Sequence, residues 1–208
     1  MESKDNITCK VVLVGESGVG KTCIIQRYVN NDFNENTYST TASTYTNKIV
    51  DYKQYNKSIL LDIWDTAGQE LYRAISQNFY LNASIGILVY DVRNRESFEA
   101  LKDYWYERLK QSGEENMVFG VAGNKCDLFR EEKVSEEEGK NFAESIGAIF
   151  YLTSCKESIG IDDLFEECGK QYIKKNELVS PNDKGKEKIV LNYKNSNNNN
   201  SGKKKKFC

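Results

Sequence analysis

Residues 15–22 have the types and the spacing of a phosphate-binding loop. Their order, Gly-Glu-Ser-Gly-Val-Gly-Lys-Thr, fits the pattern G-x-x-x-x-G-K-[ST]. The glycines let the backbone direct N–H groups toward an anion, the Lys21 ammonium adds positive charge near the β and γ phosphates, and the Thr22 hydroxyl is a ligand for Mg²⁺. A glycine-rich turn that contains Lys-Thr by coincidence is the alternative. We expect nucleotide contacts from Ser17, Gly18, Val19, Gly20, Lys21, Thr22 and Cys23.

A second motif, at residues 61–70, carries groups for metal binding and hydrolysis. Asp65 ends a predicted strand and can hold Mg²⁺ through water, and the N–H of Gly68 can approach a γ-phosphate. Gln69 follows where its side chain can orient an attacking water. Because the sequence contains no histidine, the usual general base is missing, and catalysis must rest on positioning by Gln69 and charge stabilisation by Lys21. A plain turn after an edge strand is the alternative for this segment.

Two further motifs indicate that the nucleotide carries guanine. Residues 124–127 have the form Asn-Lys-x-Asp and follow an apolar run directly. The Asp127 carboxylate can accept two hydrogen bonds from the N1–H and amino groups of guanine, an arrangement that adenine cannot supply. The second motif is Thr-Ser-Cys-Lys at residues 153–156. Each of the two motifs alone is more typical of an ordinary polar loop, but both follow strands, where open α/β sheets bind ligands. The expected contacts to the base are Asn124, Lys125 and Asp127, with N–H groups of Ser154, Cys155 and Lys156 near the guanine oxygen.

These motifs need strands and helices to position them, and the apolar pattern predicts both. Strand-like runs lie at residues 9–15, 44–52, 58–64, 85–91, 117–123 and 148–152. Residues 49–61 predict two strands joined by a polar turn, and thus one antiparallel pair at the sheet edge. Helical periodicity follows the later strands, with a last helix from about Ile161 to Lys175. We therefore predict an α/β fold: a six-stranded, mostly parallel sheet with one antiparallel edge strand, flanked by about five helices.

Charge divides the chain into an acidic body and a basic tail. The 208 residues suffice for one domain with an appendage, and we place the domain at residues 8–175 after a flexible start at 1–7. Residues 174–208 hold ten lysines against three acids, a charge of +7, which leaves −9 for the rest of the net −2. We expect a flexible tail at 176–208 that can meet an anionic membrane surface, and a body that does not bind nucleic acid.

The composition also excludes several classes of protein. The six cysteines have no recurring C-x-x-C spacing and there is no histidine, so neither a disulfide framework nor a zinc site is predicted. The first residues are polar and no apolar stretch has the length of a membrane span. We therefore expect no signal peptide, no transmembrane helix and a cytosolic protein.

With these motifs in place, the chain resembles a small GTPase of the Ras superfamily over about residues 8–175. Trp64 before Asp-Thr-Ala-Gly-Gln-Glu, together with residues 72–75 and 87–92, most resembles the Rab family. The resemblance implies a P-loop GTPase domain, GTP or GDP with Mg²⁺ as ligands, and slow hydrolysis that a GTPase-activating protein accelerates. It also implies a switch in vesicle traffic, which recruits effectors when GTP is bound and relaxes when GDP is bound.

The resemblance assigns roles to individual residues. Lys21 corresponds to the phosphate lysine, Thr22 to the first magnesium ligand, and Phe33 to the aromatic residue that packs on guanine. Thr40, which comes eighteen residues after Thr22, corresponds to the switch I threonine that binds Mg²⁺ and senses the γ-phosphate. Both neighbours of Thr40 also carry hydroxyl groups, so its assignment depends on spacing and on the match of Tyr45 to a family aromatic.

Three aromatic residues correspond to the cluster through which Rab proteins meet effectors: Tyr45, Trp64 and Tyr72. Packing in the core is the alternative, which carries equal weight for Trp64. The resemblance implies further partners, namely an exchange factor, a GTPase-activating protein and a GDP-dissociation inhibitor. The protein itself is expected to be a monomer.

The basic run at residues 203–206 and Cys208 resemble the geranylgeranyl site of a Rab tail. One lipid holds a membrane weakly, and nearby lysines add roughly 1 kcal/mol each by attracting anionic lipid. The end is not a C-a-a-X box and has a single cysteine, so an unmodified, solvated lysine run is the alternative. A prenylated tail implies the cytoplasmic face of an intracellular or plasma membrane, with a cytosolic pool.

Two other functions remain open at this point. A scaffold that holds nucleotide with little turnover would share the fold, although intact Lys21, Thr22, Asp65 and Gln69 argue against it. A nucleotide kinase would share the phosphate loop. The Asn-Lys-x-Asp motif at residues 124–127 and the lack of an arginine-rich lid segment disfavour that function.

Overall fold

A six-stranded sheet forms the centre of the fold. The computed structural model describes residues 6–34, 44–66 and 77–178. The strands are β1 (Asn6–Val14), β2 (Thr44–Tyr52), β3 (Lys57–Asp65), β4 (Ile85–Asp91), β5 (Val118–Asn124) and β6 (Ile149–Thr153). Their order across the sheet is β2-β3-β1-β4-β5-β6. Since β2 runs antiparallel to β3 and the other neighbouring pairs are parallel, the predicted mixed sheet with one antiparallel edge strand is confirmed.

Helices link the strands in the described part of the chain. They are α1 (Lys21–Asn30), α2 (Gln77–Tyr80), α3 (Arg95–Ala100), α4 (Tyr106–Ser112), α5 (Glu136–Ser145) and α6 (Ile161–Leu178). A π-helical stretch, Leu101–Trp105, joins α3 to α4 without interruption, and short 3₁₀ helices occupy Lys53–Tyr55 and Cys126–Glu131. With the continuous α3–α4 segment taken as one helix, the described residues contain the five helices that the pattern predicts.

Local sequence explains how three of these helices begin. The side chain of Asn94 accepts the N–H of Ser97 at the start of α3. A capping box starts α5, because the Ser135 side chain accepts the N–H of Glu138 and the Glu138 carboxylate accepts the N–H of Ser135. By contrast, α1 begins after Gly20, which has no side chain to cap it. The first N–H groups of α1 are therefore available to a ligand.

Position in the sheet explains the sequence pattern of each strand. Every residue of β4 is buried, and residues 11–14 of β1 have no exposed surface. Such central parallel strands are covered on both faces, so they are continuous apolar runs. The edge strand β2 instead alternates, and Ile49 on it is 68% exposed. A one-sided strand of this kind is typical of a sheet edge.

Five strands of the sheet run in the same direction and end at one edge. Residues 15–22 follow β1, Asp65 ends β3, Asn124 ends β5, and residues 154–157 follow β6. Loops at the carboxyl ends of parallel strands converge, which is where open α/β sheets bind ligands. The topology therefore brings all the described chemical motifs to one side of the sheet.

By its contacts the chain separates into two units, residues 1–172 and 173–208. The sheet and the site described below belong to the first unit. Within the three described ranges, no helix combines the length and the apolarity needed to cross a membrane. The flexible segments predicted at 1–7 and 176–208 fall mainly outside the described residues.

Candidate functional site

The loop at residues 15–22 joins β1 to α1 and requires glycine at two points. Gly15 has a φ of +146°, and a Cβ there would lie 2.1 Å from the carbonyl oxygen of Val89. Gly20 has a φ of +100°, and a Cβ there would lie 2.4 Å from Nδ2 of Asn124. Other residue types would be strained at both positions and would collide with these neighbours. The backbone can therefore stay close to its surroundings and present N–H groups to an anion.

The side chain of Lys21 lies inside this loop and is only 6% exposed. Its Nζ donates hydrogen bonds to the carbonyl oxygens of Gly15, at 2.8 Å, and Glu16, at 2.9 Å. Burial lowers the pKa of Lys21 to about 8, against the opposing charges of Asp65 and Glu16. A buried ammonium group gains from a further negative partner, since desolvation disfavours its charge. A phosphate group would be such a partner.

Thr22 and Asp65 form a donor set beside the loop. The Thr22 hydroxyl donates to Oδ2 of Asp65 at 2.7 Å. Burial raises the pKa of Asp65, while the Thr22 hydrogen bond and the charge of Lys21 oppose the rise. The Oδ1 atom of Asp65 is buried and has no hydrogen-bond partner among the described residues. A hydroxyl beside a carboxylate with an unsatisfied oxygen fits Mg²⁺, which prefers oxygen ligands.

At the other end of the site, Asp127 lies in the 3₁₀ helix that follows β5. The Ser154 hydroxyl donates to Oδ1 of Asp127 at 2.6 Å and accepts the N–H of Glu157 at 3.1 Å. The short loop after β6 is thus tied to the carboxylate that the sequence assigns to the base. A hydrogen-bonded carboxylate keeps a defined orientation, which recognition of two guanine donors requires.

Asn124 connects the two ends through a side chain that forms hydrogen bonds at both its nitrogen and its oxygen. Its Nδ2 donates to the carbonyl of Val19 at 2.8 Å, and its Oδ1 accepts from the Thr153 hydroxyl at 3.1 Å. The Cys155 thiol also lies 3.8 Å from Oδ1. Burial raises the pKa of Cys155 to about 12, so it remains a thiol near neutral pH. These contacts make Asn124 a structural link between the phosphate loop and the base end.

Lys125 reaches back from the base end to the phosphate loop. It has a φ of +65°, and its Nζ donates to the Gly18 carbonyl at 2.7 Å and pairs with Oδ2 of Asp91 at 2.8 Å. Burial alone would raise the pKa of Asp91, but hydrogen bonds from Arg93 and Lys125 lower it below its usual value. Asp91 therefore stays ionised and holds the lysine in place. The sequence placed Asp91 in the Rab-like segment at residues 87–92, at the end of an apolar strand, but assigned it no role at the site.

Arg27 is a second residue that sequence reasoning missed. From α1 its Nε donates to the Cys155 carbonyl at 2.7 Å, and its Nη1 donates to the Asn31 carbonyl at 3.0 Å. Its guanidinium carbon lies 5.9 Å from the centre of the Phe33 ring. One side chain thus contacts the loop after β6 and the aromatic residue predicted to pack on guanine. A basic residue inside an amphipathic helix carries no local signal of such a role.

The aromatic residues predicted to meet effectors lie on β2 and β3. The ring centroids of Tyr45 and Trp64 are 5.3 Å apart, and the Tyr45 hydroxyl donates to Oδ1 of Asp62 at 2.8 Å. Tyr45 is 50% exposed, whereas Trp64 is partly buried. The structure adds Phe79, 5.8 Å from Trp64, and Lys10, whose Nζ lies 5.1 Å from the Trp64 ring centre. Trp64 therefore packs on the fold and also borders an exposed surface.

Five of the predicted functional residues lie outside the described residues: Thr40, Gly68, Gln69, Tyr72 and Cys208. Their roles remain predictions. The predicted residues of the phosphate loop, the metal pair and the base end come together as described above.

Comparison with known proteins gives consistent matches. A sequence profile of the Ras family matches residues 10–174. The Ras-related protein Rab-22A of Homo sapiens is 41% identical over 162 residues, which cover 78% of this chain and 82% of the relative. The Ras-related protein Rab-31 of Mus musculus is 40% identical with the same coverage. The Ras-related protein Rab-21 of Geodia cydonium is 38% identical over 170 residues, which cover 82% of this chain and 73% of the relative.

Proposed function

The chain belongs to the Ras family and is a Rab-like small GTPase, and on that premise we propose that it acts as a switch in intracellular membrane traffic. The GTP-bound state recruits effectors to a membrane, and hydrolysis to GDP resets the switch. The residues of the site have separate tasks in this cycle.

The contact that carries the proposal is the double engagement of Asn124. Its side chain binds Val19 of the phosphate loop and Thr153 at the end of β6, at 2.8 and 3.1 Å. These contacts support a single site that includes Asp127, which can select guanine, and Lys21, which can bind phosphates. That arrangement supports a guanine nucleotide that extends from Asp127 at its base to Lys21 at its phosphates.

The hydrolytic step rests on charge and positioning. Lys21 and the N–H groups of the loop stabilise the charge that develops on the transferred phosphoryl group. Thr22 and Asp65, together with Thr40, would hold Mg²⁺, which when bound would supply positive charge to the phosphate oxygens. Gln69 orients the attacking water. With these groups alone we expect slow hydrolysis that a partner protein accelerates, as in the handling of GTP by Ras.

The two states differ at the γ-phosphate. Thr40 and Gly68 contact that group in the GTP-bound state and lose it on hydrolysis, which releases both segments. Effectors recognise the segments around Thr40 and Gly68 together with the aromatic surface formed by exposed Tyr45 and partly buried Trp64. We expect Tyr72 to belong to the same surface. An exchange factor, a GTPase-activating protein and a GDP-dissociation inhibitor complete the cycle.

A lipid on Cys208 and the lysines at 203–206 would hold the switch at the cytoplasmic face of a membrane. One prenyl chain binds reversibly, and the lysines add affinity for anionic lipid. The test is the location of the tagged protein in cells beside a Cys208→Ser variant. Membrane location that persists in the variant would contradict lipid attachment at this residue.

The GTPase cycle is tested on the purified protein. The bound nucleotide is identified by chromatography, and GTP cleavage is followed in a single turnover. We expect bound GDP or GTP, and we expect Gln69→Leu to retain GTP binding but to cleave GTP at least about tenfold more slowly. Gln111→Leu, an exposed change on α4, serves as the control.

The outcomes separate the proposed switch from the alternatives. An unchanged cleavage rate in Gln69→Leu would remove Gln69 from the mechanism. GTP that persists uncleaved in the wild-type protein would favour a nucleotide-holding scaffold. Transfer of phosphate to GMP or AMP would favour a nucleotide kinase.

A further inference from the structure

A side-chain contact from the π-helical stretch reaches the phosphate loop. Trp105 is 1% exposed, and its indole Nε1 donates a hydrogen bond to Oε1 of Glu16 at 3.0 Å. The two residues are 89 positions apart in the chain. Trp105 lies outside the sequence motifs, and Glu16 occupies a position of the phosphate loop at which the motif allows any residue.

Glu16 occupies a sensitive place in the loop. Its backbone carbonyl accepts a hydrogen bond from Nζ of Lys21 at 2.9 Å. Its side chain also places a carboxylate within the segment that must bind phosphates. Two like charges a few ångströms apart repel strongly where water is partly excluded, so the direction in which this carboxylate points matters.

Trp105 is well placed to restrain that carboxylate. The π-helical turn is closed by the N–H of Tyr106, which donates to the carbonyl of Leu101. Tyr104 packs edge-on against the indole ring, with centroids 5.0 Å apart. A buried ring with one fixed N–H donor can orient an acceptor with little loss of entropy on binding.

We propose that Trp105 is a positioning residue for the nucleotide, which acts by holding the Glu16 carboxylate on the side of the π-helical stretch and away from the bound phosphates. The inference rests on the proposed function, because it concerns the residence time of the guanine nucleotide. It assigns Trp105 no contact with the nucleotide itself.

The first test changes Glu16, which lies on a partly exposed loop, and leaves the core intact. Glu16→Asp keeps the charge but shortens the side chain, so the carboxylate loses the indole and can turn toward the phosphates. Glu16→Gln keeps the length and the acceptor oxygen but removes the charge. We expect Glu16→Asp to release fluorescent GDP roughly three- to tenfold faster than wild type, and Glu16→Gln to stay within about twofold.

The charge of the ligand gives a readout that a merely structural role would not move. Repulsion grows with the number of phosphates, so Glu16→Asp should accelerate release of a GTP analogue such as GTPγS more than release of GDP. A loosened loop without charge repulsion would accelerate both equally. Equal acceleration, or release at the wild-type rate, would overturn the proposal.

A second variant tests Trp105 directly. Trp105→Phe removes the N–H donor, and we expect faster release that disappears when it is combined with Glu16→Gln. Tyr104→Phe keeps the ring that packs on Trp105 and is the control. The same acceleration by Trp105→Phe with and without Glu16→Gln would reduce Trp105 to packing and overturn the proposal. If the wild-type protein binds no guanine nucleotide, the proposed function fails as well. If the wild-type protein binds guanine nucleotide and the variants release it at the wild-type rate, only this inference fails.

Discussion

The phosphate end and the base end of the site are built in opposite ways. At the phosphate end, Lys21 bonds to the carbonyls of Gly15 and Glu16, only six and five positions away. At the base end, the Ser154–Asp127 contact spans 27 positions and the Arg27–Cys155 contact spans 128. The phosphate end is built mainly on one continuous segment, residues 15–22, whereas the base end is assembled from separate loops.

This difference determines how each end responds to change. The phosphate loop depends on backbone angles, so a single added Cβ disturbs the whole segment. The base end depends on side chains from several elements, so its changes have graded effects. A base selector is the exception, because it contacts the ligand directly. Four predictions test this comparison, in order of decreasing effect.

Asp127→Asn should have the largest effect on ligand binding. The amide keeps one oxygen that can accept the N1–H of guanine but places its NH₂ against the amino group of guanine, so one of the two hydrogen bonds is lost and two donors face each other. We expect the dissociation constant for GDP to rise roughly 1,000-fold, and xanthosine diphosphate, which has a carbonyl at that position, to bind better than GDP. Fluorescence titration measures both, with exposed Asp103→Asn as the control. Retained preference for GDP would show that the base is read elsewhere.

Gly20→Ala tests the backbone of the phosphate loop and the close approach of that backbone to Asn124. Alanine is strained at a φ of +100°, and its Cβ would displace the amide of Asn124 from its two hydrogen bonds. We expect GDP to bind roughly 100-fold more weakly, measured by titration. Gly147→Ala is a matched control, since its φ is +66° but nothing lies within 4 Å of the added Cβ. It should lower the melting temperature without a change in GDP affinity; equal losses of affinity would refute the role of the Asn124 contact.

Arg27→Lys tests the assembled base end. Lysine keeps the charge but lacks the planar guanidinium group, which donates to the carbonyl oxygens of Cys155 and Asn31 at the same time. We expect GDP to dissociate roughly three- to tenfold faster, measured by displacement of a fluorescent analogue. Arg108→Lys on α4, whose guanidinium lies over the Tyr104 ring, is the control. Wild-type release from Arg27→Lys would mean that the loop after β6 holds its position without Arg27.

Glu138→Gln, away from both ends, should change folding stability and leave GDP binding unaltered. The hydrogen bond from Arg95 lowers the pKa of Glu138 to about 2 from an ordinary 4.5. The stabilisation is therefore complete above pH 4.5 and is lost as the pH falls toward 2. The variant should melt below wild type at pH 7, and the difference should shrink in acid. A difference in melting temperature from wild type that stays constant with pH would contradict this assignment, and so would an equal difference for Glu137→Gln.

Much of the fold follows from the sequence because burial of one or both faces of an element produces a recognisable pattern of apolar residues. The apolar runs predicted the strands, and the two strands joined by a polar turn at residues 49–61 predicted the antiparallel pair at the sheet edge. The functional residues that the sequence did not predict show no such pattern. Arg27 and Asp91 look like ordinary members of a helix and a strand, and Trp105 looks like a core residue of an amphipathic helix. Their partners are distant in the chain, and no local spacing encodes a distant partner.

The sequence by itself determined the phosphate loop, the order of strands and helices, and the carboxylate that can select guanine, because each depends on neighbours within a few residues. Only the tertiary structure decided which groups act together. It joined Asn124 to Val19, aimed the indole of Trp105 at Glu16, and left Oδ1 of Asp65 buried without a partner among the described residues. The physical reason is that hydrogen bonds depend on atoms within about 3 Å, and the folded sheet alone brings such distant residues that close.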